Sequence, residues 1–179
     1  WVSLYHHGAF SSTDPDECLR RINDRLTKAT GELRTLDLLV ITWGTAWVYR
    51  YTRENIVVSN CHKIPSQEFE RSRLSVEDIV KEYLVLIGRL REINPGLRIL
   101  FTVSPIRHWK DGAHGNQLSK ATLLLAIDRL REELQHVYYF PAYEIVLDEL
   151  RDYRFYADDM LHMSGFTVDY IWERFLYSF

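Results

Sequence analysis

The stretch Asp159-Met160-Leu161-His162 pairs a carboxylate with an imidazole at a spacing that can support acid–base chemistry. An Asp shortly before a His lets one loop bring the carboxylate onto one ring nitrogen. That fixes the tautomer and leaves the other nitrogen free to take a proton from a nucleophile. The spacing alone is permissive, and a solvated Asp beside a His packed on the next helix is the plainer reading. Gly44-Thr45 closes an apolar run, where glycine lets backbone N–H groups approach an oxyanion closely. An ordinary turn glycine would look the same. In Asn60-Cys61-His62-Lys63, Asn60 can donate a side-chain hydrogen bond to an oxyanion. Cys61 is a nucleophile if a base stands near it, and otherwise a buried, inert thiol. In Ser104-Pro105-Ile106-Arg107-His108, Ser104 is a nucleophile candidate by position but lacks the Gly-x-Ser-x-Gly elbow, so its hydroxyl more simply caps a turn. Arg107 and His108 are candidates for lining a polar cleft. His6, His7, His62, His108 and His162 include no pair at HxH or HxxxH spacing. No metal site is expected from them, and no cofactor is called for.

The elements that must position these residues are legible as patterns. Asp14-Pro15 reads as an N-cap and first helical residue, with Cys18, Leu19, Ile22, Leu26 and Ala29 following at helical spacing. Asp37 to Trp43 is a short apolar run ending at Gly44, the mark of a buried strand entering a tight turn. Residues 48–65 are less regular, with Ile56-Val57-Val58 as a short strand or hairpin arm. Ser75 to Ile93 reads as an amphipathic helix with a Ser75/Asp78 capping box, stopped by Asn94-Pro95-Gly96. Arg98 to Val103 is a second strand, Arg107 to Asn116 a polar loop, Leu118 to Gln135 a long helix and Val137 to Phe140 a third strand. Helical stretches near 143–152 and 165–177 complete the chain. Strand and helix alternate, which argues for a parallel sheet with helices on both faces in a single domain over 1–179. Ligands of such sheets bind beyond the carboxyl ends of the strands, where Gly44 to Tyr49, Ser104 to Asn116, Pro141 to Glu144 and the loop before the last helix are expected.

Composition narrows the function classes. The chain has 179 residues, 46% hydrophobic and 26% charged, with a formal net charge of −3. No basic run suggests a nucleic-acid partner, and no apolar stretch approaches the roughly 18 residues of a membrane span. Two isolated cysteines, Cys18 and Cys61, form no disulfide framework and suit a reducing, cytoplasmic setting. The chain begins with Trp rather than Met, so a lost N-terminal segment, with or without an export signal, is expected.

Taken in order, several segments resemble the GSCFA family, named for a Gly-Ser-Cys-Phe-Ala motif near its N-terminus. They are Ile41 to Tyr49, Asn60 to Lys63, Phe101 to His108, Asp111-Gly112, Asn116 to Ala121, Tyr139 to Glu144, Asp148 to Ala157 and Asp159 to His162. The family is similar to SGNH (GDSL-like) hydrolases. The resemblance implies an α/β, three-layer αβα, flavodoxin-like fold with a serine nucleophile, but it carries over no substrate; the reading adopted is a serine esterase acting on a small-molecule or carbohydrate acyl ester. It implies His162 as general base and then acid, Asp159 as its orienter, and Gly44 and Asn60 as oxyanion donors sharing a cleft with His162. Neither a Gly-Ser-Cys-Phe-Ala nor a Gly-Asp-Ser string occurs here. The nucleophile and the first strand are therefore expected upstream of Trp1, leaving these residues inactive on their own. Where the SGNH block has Gly-x-Asn-Asp, this chain reads Gly44-Thr45-Ala46-Trp47. That loss of Asn favours a rival, a non-catalytic module binding carbohydrate or another partner. A thiol enzyme using Cys61 with His162 is the second rival.

Overall fold

A computed structural model describes all of residues 1–179. In chain order the elements are a 3-10 turn Gly8–Phe10, α1 Pro15–Leu33, β1 Leu38–Trp43, β2 Trp47–Tyr51, β3 Ile56–Val58 and β4 Phe69–Arg73. Then come α2 Val76–Ile93, β5 Arg98–Val103, α3 Gly112–Glu133 and β6 Val137–Phe140. A helical turn α4, Ala142–Glu144, runs on as a π-helical turn Ile145–Leu150, and α5 spans Gly165–Ser178. Contacts group these into two compact units interleaved along the sequence.

The first unit comprises residues 1–36, 47–74 and 86–96. Asp14 caps α1 by accepting from the Asp16 N–H at 3.0 Å, with Pro15 at the first helical position. Of the apolar stripe read on α1, Cys18 is buried while Leu19 and Leu26 stay exposed. The end of α1 is tied down by Asn94, whose Nδ2 donates to the Leu33 and Leu36 carbonyls, each at 2.8 Å. Residues 47–73, which include the segment 48–65 read as less regular, form an antiparallel sheet in the order β3-β2-β4. Val58 is its one buried residue, and Arg71 on β4 lies over the Trp47 ring of β2 at 4.3 Å, a cross-strand cation–π pair.

The second unit comprises residues 37–46, 75–85 and 97–179. Its sheet has the order β1-β5-β6, with both pairings parallel, as the strand–helix alternation requires. The fold is α/β. β5, at the centre, is buried from Ile99 to Val103, so it reads as a nearly continuous apolar run, broken only by Thr102, rather than an alternating one. Successive side chains on it face opposite sides. Phe101 meets Trp43 and Tyr83 of α2 at ring centroid distances of 4.7 and 5.6 Å, and the Trp43 indole donates to the Tyr83 hydroxyl at 2.7 Å. Leu100 instead joins Phe140, Ile145 and Val146, against which Tyr170, Ile171 and Phe175 of α5 pack. The start of α2 has the capping box its sequence announces. Ser75 Oγ accepts from Asp78 N–H at 3.0 Å, and Asp78 Oδ2 accepts from Ser75 N–H at 3.1 Å.

Two expectations need correction. β1 is not a buried strand: Trp43 alone on it is buried, and Val40 is exposed. The polar loop ends at Asp111, and α3 begins at Gly112 rather than Leu118. Gly112, His114, Gly115 and Asn116 are poor intrinsic helix formers. The first turn holds because Asn116, Ser119 and Lys120 are buried with Leu123, Ala126, Ile127 and Leu130 along one face of the helix.

Candidate functional site

The Asp159–His162 loop is a closed turn built from its own hydrogen bonds. The Ala157 N–H donates to the His162 carbonyl at 2.8 Å, and the Met160 N–H to the Ala157 carbonyl at 2.9 Å. Asp159 Oδ1 accepts from the backbone N–H groups of Leu161 and His162 at 2.8 and 2.9 Å. Asp159 Oδ2 lies 2.5 Å from His162 Nδ1. A carboxylate on Nδ1 places the ring proton there and presents Nε2 as the free nitrogen. The hydrogen bond from His162, reinforced by the two backbone donors, lowers the Asp159 carboxyl from 3.8 to about 2. Both side chains are open to solvent. Ser164 then caps α5 by accepting from Thr167 N–H at 3.3 Å, and Thr167 itself is fully buried, donating to the Phe155 carbonyl at 2.6 Å. The sequence therefore fixes the dyad on a rigid step into the last helix.

Arg107 braces this turn. Met160 has φ 59°, a left-handed conformation that a long side chain seldom adopts. Its carbonyl accepts from Arg107 Nη2 at 2.5 Å. The Arg107 guanidinium is flanked by the rings of Trp109, Tyr156 and Tyr153 at 5.2, 5.1 and 5.9 Å, so its stem and charge are held in place.

The turn after β1 is pinned from α3. Lys120 is 1% exposed, and its ammonium donates to the Gly44 carbonyl at 2.7 Å and the Ser104 carbonyl at 2.6 Å. It thereby joins the carboxyl ends of β1 and β5. His108 Nε2 donates to the same Gly44 carbonyl at 3.2 Å. Ser119 Oγ accepts from the buried Ala46 N–H at 2.8 Å and lies 3.0 Å from Thr45 Oγ1. Asn116 Oδ1 accepts from His108 N–H at 3.1 Å. Burial pulls the Lys120 ammonium down to about 8.

Gly44, Arg107, His108, Asp159 and His162 thus all belong to the second unit. His108 binds the Gly44 carbonyl, and Arg107 binds the loop that carries the dyad. Asn60 belongs to the first unit, where its Oδ1 accepts from His62 N–H at 2.9 Å. Cys61 is half-buried and unbridged. Ser104 Oγ accepts from Ile106 N–H at 3.3 Å, the turn-capping use of a serine before proline. No group of three His, Cys, Asp or Glu side chains is placed to hold a metal ion. Sequence reasoning passed over Asn116, Ser119 and Lys120 as functional residues. Their signal was a polar i, i+3, i+4 run at the head of the same stripe that turns apolar at Leu123.

A sequence model of the GSCFA family matches residues 1–175, a span that takes in both units. The chain belongs to the GSCFA family. No curated protein matches it. No helix of this GSCFA protein is long and apolar enough to cross a membrane.

Proposed function

We propose that this GSCFA chain carries the acid–base machinery of an SGNH-type ester hydrolase on a three-layer, flavodoxin-like scaffold. The observation that supports it is the Asp159 carboxylate on His162 Nδ1, with Nε2 left free at the entry to α5. His162 Nε2 takes the proton of a serine hydroxyl as that oxygen attacks the acyl carbonyl, and Asp159 steadies the imidazolium. The tetrahedral intermediate collapses, and the same proton passes to the departing alkoxide, which leaves as an alcohol. Water, activated by His162 in turn, frees the acid from the acyl-serine. Backbone N–H groups of the Gly44 turn offer one place for the oxyanion. We assign the nucleophile to the serine of the family's namesake motif, which these residues do not contain. The substrate class is a small-molecule or carbohydrate acyl ester.

The test is hydrolysis of short acyl nitrophenyl esters by this chain and by a version extended through the Gly-Ser-Cys-Phe-Ala motif, each with and without His162→Ala. Activity confined to the extended version and abolished by His162→Ala is expected. A second reading, a ligand-binding module without turnover, is favoured by Ala46, whose side chain stands where the SGNH block supplies an amide donor. An inactive extended version would select it.

A further inference from the structure

We propose that a cavity of 240 Å³ at the head of α3 binds a carboxylate, held by the side-chain amide of Asn116 and the guanidinium of Arg107. Asn116 lines this cavity and is only 6% exposed. Its Oδ1 is committed to the His108 N–H, a group that can only donate, so the orientation of the amide is fixed. The two Nδ2 hydrogens are left without a partner in the protein and with the cavity as their outlet. The nitrogen itself is not sealed from solvent, so an acceptor lodged in the cavity can reach it.

The cationic partner is as well defined. Arg107 lines the same cavity. Its one hydrogen bond goes to the neutral Met160 carbonyl and no carboxylate pairs with it, so its full charge is available. Lys120 does not line the cavity, but its ammonium lies 5.8 Å from the ring centre of Tyr143, which does. It too faces only backbone carbonyls. No Asp or Glu lines the cavity. In a chain of net charge −3, an acid-free recess lined by the Arg107 guanidinium and the Asn116 amide is complementary to an anion. Trp109, Tyr156 and Leu147 supply apolar wall for a short carbon chain. A planar guanidinium together with an amide NH₂ suits the two oxygens of a carboxylate. The inference rests on the ester-hydrolase reading for its meaning, since a carboxylate is what ester cleavage releases, but not for its measurement.

The experiment is a titration of the uniformly ¹⁵N-labelled chain with sodium butyrate, following the Asn116 side-chain NH₂ resonances, with butyramide and inorganic phosphate as comparison probes. Saturable butyrate binding that shifts the Asn116 NH₂ pair is expected, with little effect from butyramide. Asn116→Asp keeps the acceptor for His108 N–H while withdrawing the donors and adding a like charge. It should weaken butyrate binding about tenfold or more, and Arg107→Gln by about tenfold. Should Asn116→Asp fold poorly, Arg107→Gln against Arg107→Lys reads the same site, with the lysine variant retaining more affinity. Absence of saturable binding, equal binding of butyramide, tighter binding of phosphate, or undiminished affinity in Asn116→Asp or Arg107→Gln would each overturn the proposal. Because no turnover is needed, carboxylate binding by a chain whose extended version is inactive would retire the hydrolase reading and leave the site standing. Esterase activity without butyrate binding would do the reverse.

Discussion

The Lys120 ammonium sits between the carbonyl oxygens of Gly44 and Ser104, at 2.7 and 2.6 Å, with no carboxylate partner. A buried cation held by neutral acceptors alone carries an uncompensated desolvation penalty. That penalty has a pH signature. Below about 8 the lysine is charged in both the folded and the unfolded chain. Between about 8 and the ordinary lysine value near 10.4 the folded chain releases a proton that the unfolded chain still holds. Folded stability from this group therefore rises with pH across that window. Urea unfolding of the wild type and Lys120→Met at pH 7, 9 and 10 should show a stability difference that grows in favour of the wild type as pH rises. A constant difference would place the charge elsewhere.

Ser119 tests how tightly the turn after β1 is held. Its hydroxyl is the acceptor for the Ala46 N–H, in a place where both residues are 1% exposed. Ser119→Ala should cost about 1–3 kcal/mol, the penalty of orphaning a buried donor. Ser119→Thr, which keeps the oxygen, should recover part of it if the added methyl is accommodated. Denaturant midpoints measure both, and amide exchange at Ala46 should quicken selectively in the alanine variant.

Arg107 links the loop after β5 to the dyad's turn. Arg107→Met keeps an apolar stem among Trp109, Tyr153 and Tyr156 but removes the donor to the Met160 carbonyl and the charge over the rings. A loss of about 1–3 kcal/mol follows from one charged hydrogen bond and several cation–π contacts. Met160 then has less holding it at φ 59°, so exchange of the Leu161 and His162 amides should accelerate more than that of α5. Equal acceleration throughout would indicate global destabilisation only.

The parts visible in the sequence were those where a single pattern dominates. β5 is a largely apolar run because it is the covered central strand, β1 is apolar although it leaves Val40 exposed, and α2 carries both its cap and its stripe. β2 and β4 were invisible because no residue of Trp47–Tyr51 or Phe69–Arg73 is buried. Their pairing uses Arg71 on aromatic rings rather than alternating burial. The head of α3 was hidden for a related reason. Asn116, Ser119 and Lys120 occupy core-facing positions, so a rule that puts polar residues outside reads them as a loop and a solvent face. At the dyad, spacing foretold which residues pair. It could not foretell the brace, because Arg107 and Met160 are far apart in sequence and meet only once α3 and the last loop are in place.

The dyad itself makes the last prediction. Asp159 is held near 2 by the hydrogen bond from His162, with help from the Leu161 and His162 amides. A carboxyl depressed in the folded state contributes stability that is complete above its unfolded value of about 3.9. That contribution is lost as pH falls from there through about 2. Asp159→Asn preserves shape while removing the charge. It should lessen the acid sensitivity of folding between roughly pH 4 and pH 2, read by circular dichroism against pH. A ¹³C titration of the Asp159 carboxyl in the wild type should show the depressed midpoint directly. In the version extended through the family's serine motif, the same substitution should lower kcat for a short acyl ester roughly 10²–10⁴-fold with a smaller change in KM, because the charge matters most when His162 becomes an imidazolium. A kcat unchanged by Asp159→Asn but abolished by His162→Ala would leave His162 as base and reduce Asp159 to a turn residue. Insensitivity to both would move the chemistry away from this loop.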